Sequence, residues 1–198
     1  AKRIAVVATD GDHALGGADW DDRVATYLSE RFLAECPGAE DPLDDSYGAQ
    51  DLISSAEDAK QTLSHRDSTD VLVVHAGHRA NVSISRAEFE QITSTLLRRS
   101  IELTRAVLKA AEARGTARID KVLLVGGSSK MPAVAARLKE EFGFDAQLTD
   151  PDLAVAKGAA IYGQKKEIEQ VIVDDLVAQG KLQHGQTIDQ AQGVDLEK

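Results

Sequence analysis

The run Val125-Gly126-Gly127-Ser128-Ser129-Lys130-Met131-Pro132 constrains this chain more than any other. Lys121 to Val125 reads as an apolar strand, two glycines turn the chain, and a helix follows. Glycine has no Cβ, so backbone there can approach a ligand closely. The helix start offers N–H groups without intrahelical partners and the positive end of a dipole. Ser128 or Ser129 can cap it. The same run also serves as a plain tight turn before a capped helix, and by itself it does not separate the two.

Three further segments carry residues with chemistry. Leu15-Gly16-Gly17-Ala18-Asp19-Trp20-Asp21 puts two glycines at a helix start, either as a ligand-approach turn or as a simple cap. Glu57, Lys60, Gln61 and Ser64 recur at spacings of three and four, so they share one helix face. That face is polar, for binding or for solvent. Asp150-Pro151-Asp152-Leu153-Ala154-Val155-Ala156-Lys157-Gly158-Ala159-Ala160 predicts a helix with Pro at its first position. Its small residues predict that something packs closely on it.

Between these segments strands and helices alternate, which indicates an α/β chain. Ile4 to Thr9 predicts a buried strand, and a helix from about Ala18 turns Trp20, Val24, Tyr27, Leu28 and Phe32 inward until Cys36-Pro37-Gly38 stops it. Residues 37–48 read as an acidic loop. A helix from Gln50 to Ser64 buries Leu52, Ile53, Ala56, Ala59 and Leu63. Asp70–His75 and Asn81–Ile84 form a hairpin around Gly77, and Ser85-Arg86-Ala87-Glu88 is a capping box. The long helix behind it carries Phe89, Ile92, Leu96, Leu103 and Val107 on one face and ends near Gly115. A helix with Val134, Ala135, Leu138 and Phe142 and a short strand at Gln147-Leu148 come next. A separate amphipathic helix is expected over Lys165–Gln179, then a polar, disordered tail.

Composition narrows the function. With 33 acidic and 23 basic residues the net charge is -10, which argues against a general nucleic-acid binder and against an anionic membrane surface. A nucleotide is not excluded, since its phosphates need only a local nest of N–H groups. Cys36 is the sole cysteine, so no internal disulfide forms. No apolar run approaches a membrane span or a signal peptide, and the chain reads as cytoplasmic. His75 and His78 flank the hairpin turn without the cysteines or further ligands of a zinc site, so no metal site is assigned.

In this order and at these separations, the four segments resemble the DnaK-type (seventy-kilodalton heat-shock) chaperones, whose motifs read LGGEDFD, E-x-A-K-x-x-L-S, VGGSTRIP and NPDEAVAxGAA. The resemblance runs from about Ile4 to Gly163. It implies the second lobe of an actin-like (ribonuclease H-like) ATPase domain, an α/β lobe with an inserted helical subdomain. Residues 1–19 and 104–165 would form the sheet-bearing part, 20–103 the helical part with its hairpin, and 166–198 a C-terminal helix and polar tail.

Residue by residue, the resemblance makes Glu57, Lys60 and Ser64 adenosine contacts. It makes Gly126, Gly127, Ser128 and Lys130 the opposite wall, with Asp152 nearby and Gly16 and Gly17 beside the phosphates. Lys130 stands where the family usually has Arg, and a Lys stem covers an adenine base less well than a guanidinium. Ala18 replaces a glutamate next to the phosphates, and Gln61 stands where animal members carry Arg.

The resemblance also implies ATP or ADP with Mg²⁺ in a full-length parent, a GrpE-type nucleotide-exchange factor and a J-domain co-chaperone as partners, and neither nucleic acid nor membrane. The family's first phosphate loop, catalytic lysine and DLGGGTFD turn are expected upstream of Ala1. These 198 residues alone are therefore expected to hold no catalytic residue and to bind nucleotide weakly or not at all. The alternative is a stand-alone protein-interaction module without nucleotide chemistry. Another actin-like protein, such as a sugar kinase or a filament former, is disfavoured by the hairpin and long-helix insert.

Overall fold

In the computed structural model, which describes residues 5–116 and 118–183, helix α1 (Gly17–Glu35) begins where the second glycine pair ends. The Gly16 N–H donates to the Asp19 carboxylate at 2.6 Å, satisfying one of the donors a helix start leaves open. Trp20, Val24, Leu28 and Phe32 form the buried stripe, and the helix ends at Cys36, with Gly38 in left-handed backbone (φ +90°). A 3₁₀ turn at Pro42–Asp44 leads into α2 (Ser46–Leu63). This helix starts four residues before the predicted Gln50, because the Asp45 carboxylate caps it by accepting from the Gly48 N–H at 2.8 Å. Leu52, Ala56, Ala59 and Leu63 face inward, at helical spacing. Ile53, predicted to join them, points to solvent, since it stands about 100° around the helix from Leu52.

Strands β1 (Ser68–His75) and β2 (His78–Ser85) pair antiparallel through a two-residue turn, Ala76-Gly77, both at positive φ (46° and 81°). That geometry matches the right-handed twist of the flanking strands. Val71 opposite Val82 and Val73 opposite Ala80 face inward, and Leu72 and Val74 face out. The hairpin lies against α1 and α2, and together they enclose the core, in which Leu28, Phe32, Leu63 and Ile84 are fully buried. Each such side chain contributes about 1.5–3 kcal/mol relative to exposure.

The capping box forms as the sequence predicts: Ser85 Oγ accepts from the Glu88 N–H, and the Glu88 carboxylate accepts from the Ser85 N–H at 2.9 Å. The helix behind it is not continuous. It divides at buried Thr93 into α3 (Arg86–Ile92) and α4 (Ser94–Glu112). The Phe89 carbonyl accepts there from both the Thr93 N–H, at 3.1 Å, and the Thr93 hydroxyl, at 2.7 Å.

Strand β3 (Leu123–Leu124) pairs parallel with β4 (Gln147–Leu148) around α5 (Pro132–Phe142), which has Pro at its first position and ends on Gly143 at φ +72°. Residues 5–9 of the predicted strand Ile4–Thr9 join no ladder, so it does not share a sheet with Lys121–Val125; Ile4 itself lies outside the described residues. A strand of this kind needs neighbours along its length and apolar cover on both faces. Here β3 keeps only two paired residues, and Val6 is 82% exposed. Instead, the Arg114 guanidinium donates to the Val7 carbonyl.

The chain divides into two compact units, Val6–Pro151 and a second comprising Ala1–Ala5 with Asp152–Lys198. In the second, the two predicted helices are one, α6 (Ala154–Ala178), which ends before Gly180 at φ +70°. Its first helical residue is Ala154 rather than Pro151, since residues 151–153 form turns. The predicted close packing on the small residues is not found: a Cβ built on Gly158 would meet nothing within 4 Å among the described residues. Val155, Ile161, Tyr162, Ile168, Val171 and Ile172 are exposed, and Leu176 and Leu182 are buried. Of the predicted disordered tail after Gly180, residues 181–183 are described, with Leu182 buried, and the rest lies outside the described residues.

Candidate functional site

Three of the four sequence segments meet within the unit Val6–Pro151. Gly17 opens α1, Lys60 sits in the last turn of α2, and Ser128 lies in the 3₁₀ turn Gly127–Lys130 between β3 and α5. A Cβ on Gly17 would lie 3.0 Å from Ser128 Oγ and 3.5 Å from Lys60 Nζ, so the two side-chain tips converge closely over the start of α1. Met131, just after the 3₁₀ turn, is buried in the same core as α1 and α2, which ties this turn to the helices.

Lys60 is the hub. Its ammonium contacts both oxygens of Asp21, at 2.6 and 2.8 Å, and donates to the Gly17 carbonyl at 3.3 Å. The two side chains are only 12% and 10% exposed. Burial pushes the Asp21 carboxyl up from its ordinary value, while the hydrogen bond and charge of Lys60 pull it back and nearby Glu57 raises it further. Ser64 donates from Oγ to the Lys60 carbonyl at 3.1 Å. Glu57 is exposed, one turn before Lys60, and accepts from Gln61 at 3.4 Å.

The glycine turn itself is strained in a way only glycine tolerates. Gly126 has φ +87° and ψ 152°; its N–H donates to the Pro151 carbonyl at 2.8 Å, and its carbonyl accepts from Ser129 Oγ at 2.6 Å. A Cβ on Gly16, Gly126 or Gly127 would meet nothing within 4 Å among the described residues, so the backbone there borders open space. Lys130 is half-buried at the end of the 3₁₀ turn. Asp152 belongs to the second unit, in the turn before α6.

The site therefore gathers Gly16, Gly17, Lys60, Ser64, Ser128 and the Gly126-Gly127 turn, with Glu57 on the exposed flank. Asp21 is the residue of this cluster to which the motifs assign no role. The available signal was its place beside Trp20 on the inward stripe of α1, because a carboxylate on a buried stripe requires a cation. Among the described residues no helix is long and apolar enough to cross a membrane, and no group of three His, Cys, Asp or Glu could hold a metal ion.

The family model described as Hsp70 protein matches residues 3–180, which takes in the whole of the unit Val6–Pro151 and part of the second. Since this spans most of the chain, the chain belongs to the Hsp70 family of heat-shock chaperone ATPases, which bind ATP on an actin-like fold.

Proposed function

We propose that this chain is the second lobe of an Hsp70-type ATP-binding domain of the DnaK kind and supplies the adenosine-binding wall of its cleft. The observation that carries this reading is the convergence at Gly17, where Lys60 Nζ and Ser128 Oγ come within 3.5 and 3.0 Å of one point. Lys60 and Ser64 would address the ribose hydroxyls, with Glu57 accepting beside them. Open space beside Gly16, Gly126 and Gly127 suits phosphates laid against backbone N–H groups. Lys130 would flank the base. Most groups at the convergence are amine, hydroxyl and backbone N–H, so they fit sugar and phosphate; Mg²⁺ would come with the nucleotide in the full-length protein.

Adenosine has about 19 heavy atoms, and a half-enclosed ligand of that size gains about 4 kcal/mol, a dissociation constant near ~1 mM. An NMR titration of the chain with ADP tests this. Peaks of Lys60, Ser64 and Gly127 should move together at about millimolar ligand. Shifts that bypass all three would sink the reading.

The same reading gives residues 20–103 the surface for a GrpE-type exchange factor, with a J-domain co-chaperone acting on the full-length protein. Leu43, Tyr47, Leu72 and Val74 support it as exposed apolar side chains on this part. Calorimetry with the cognate exchange factor should give saturable heat that Leu72→Ser together with Val74→Ser reduces.

A further inference from the structure

The Asp21–Lys60 pair is built unlike a purely stabilising contact. A buried ion pair adds little to stability that two well-packed apolar side chains would not. Asp21 Oδ1, though buried, receives no well-directed hydrogen bond, even with Lys60 Nζ at 2.6 Å. What the pair does achieve is placement. The ammonium is held by the Asp21 carboxylate and by the Gly17 carbonyl, on the helix that starts beside Ser128. Three oxygens, both of Asp21 and the Gly17 carbonyl, lie within 3.3 Å of the ammonium and fix where it sits.

We propose that Asp21 is a positioning residue: it fixes Lys60 Nζ at the meeting point of α1, α2 and the Gly127–Lys130 turn, so that Lys60 meets the ribose of a nucleotide already oriented. This rests on the adenosine-wall reading above. A lysine stem has four rotatable bonds, and an ammonium free to sample them would lose that freedom on binding. Asp21 removes this cost before the ligand arrives.

The experiment is an ADP titration, followed by NMR, of the whole 198-residue chain as wild type, Asp21→Asn, Lys60→Met and the double variant, with thermal melts confirming that each is folded. Asp21→Asn should weaken ADP about tenfold, the loss expected when a charge-assisted hydrogen bond holding the binding group goes. Lys60→Met should weaken it at least as much. In the Lys60→Met background, Asp21→Asn should have no further effect, because its action passes through Lys60. Equal effects of Asp21→Asn in both backgrounds, or none in either, would overturn the positioning role while leaving the adenosine wall standing. If wild type itself shows no ADP response, both ideas fall together. Should Asp21→Asn not fold, Asp21→Glu makes the same test, since it keeps the charge and moves the carboxylate by one methylene.

Discussion

Gly48 presses its bare α-carbon against the His75 imidazole: a Cβ there would lie 3.0 Å from Nδ1, and only 2.5 Å from the Pro42 carbonyl oxygen. The contact joins the first turn of α2 to the end of β1 and to the 3₁₀ turn before α2. Alanine is the better helix former, by about 1 kcal/mol. The clash outweighs that preference, because a backbone carbonyl cannot swing aside as a side-chain tip can. Gly48→Ala should therefore destabilise the chain, by about 1–3 kcal/mol. Urea unfolding should show a lower midpoint, and an unchanged or raised one would mean that the turn at Pro42 yields freely.

Gly126 makes the opposite case, with open space around it but backbone that L side chains avoid, at φ +87° and ψ 152°. Gly126→Ala should cost about 1–3 kcal/mol through strain alone. Hydrogen exchange at the Gly126 N–H, which donates to the Pro151 carbonyl, should speed up as the turn loosens. Protection equal to wild type would show that the turn accepts a Cβ.

Glu88 links stability to acid. Its carboxyl is held below its ordinary value of 4.5 first by the Ser85 N–H, then by the Ser85 hydroxyl and the Tyr27 hydroxyl. A depressed folded value means that the charged form is favoured in the native state. The contribution is thus present above pH 4.5 and lost as pH falls through the lowered value. The melting temperature of wild type should exceed that of Glu88→Gln at neutral pH, and the gap should close in acid. The side chain is 41% exposed, so the gap will be small, and a gap that widens in acid would contradict the assignment.

Gly158 sits in the middle of a helix with no neighbour for an added methyl group among the described residues. Gly158→Ala should stabilise this chain by about 0.4–1 kcal/mol, by reducing the freedom of the unfolded state. A loss of stability would show that the sequence-based expectation of a close packing partner on this helix holds after all.

The helices α1 and α2 were legible because each carries a long apolar stripe at three-and-four spacing, Trp20 to Phe32 and Leu52 to Leu63, and local turn chemistry marks where α1 ends. The hairpin was legible from two apolar runs around Gly77, and the Ser85–Glu88 box from its own spacing. Ile53 was misassigned because two adjacent apolar residues cannot both lie on a narrow stripe, and spacing alone does not say which one the core takes. The apolar pattern runs straight through Thr93, where the helix divides, and nothing in the spacing marks that break.

Two features were decided only by tertiary structure. One is the fate of Ile4–Thr9: an apolar run states that a strand is possible, but a strand exists only where a ladder and a cover exist, and residues 5–9 have neither. The other is the site. Sequence by itself determined the residues, their motifs and the family. That Gly17, Lys60 and Ser128, up to 111 positions apart, share one point depends on how α1 and α2 pack and on the burial of Met131. So does the pairing of Asp21 with Lys60, because a carboxylate on one helix acquires a partner on another only when both leave water together, and the cost of burying either charge alone is what brings them into contact.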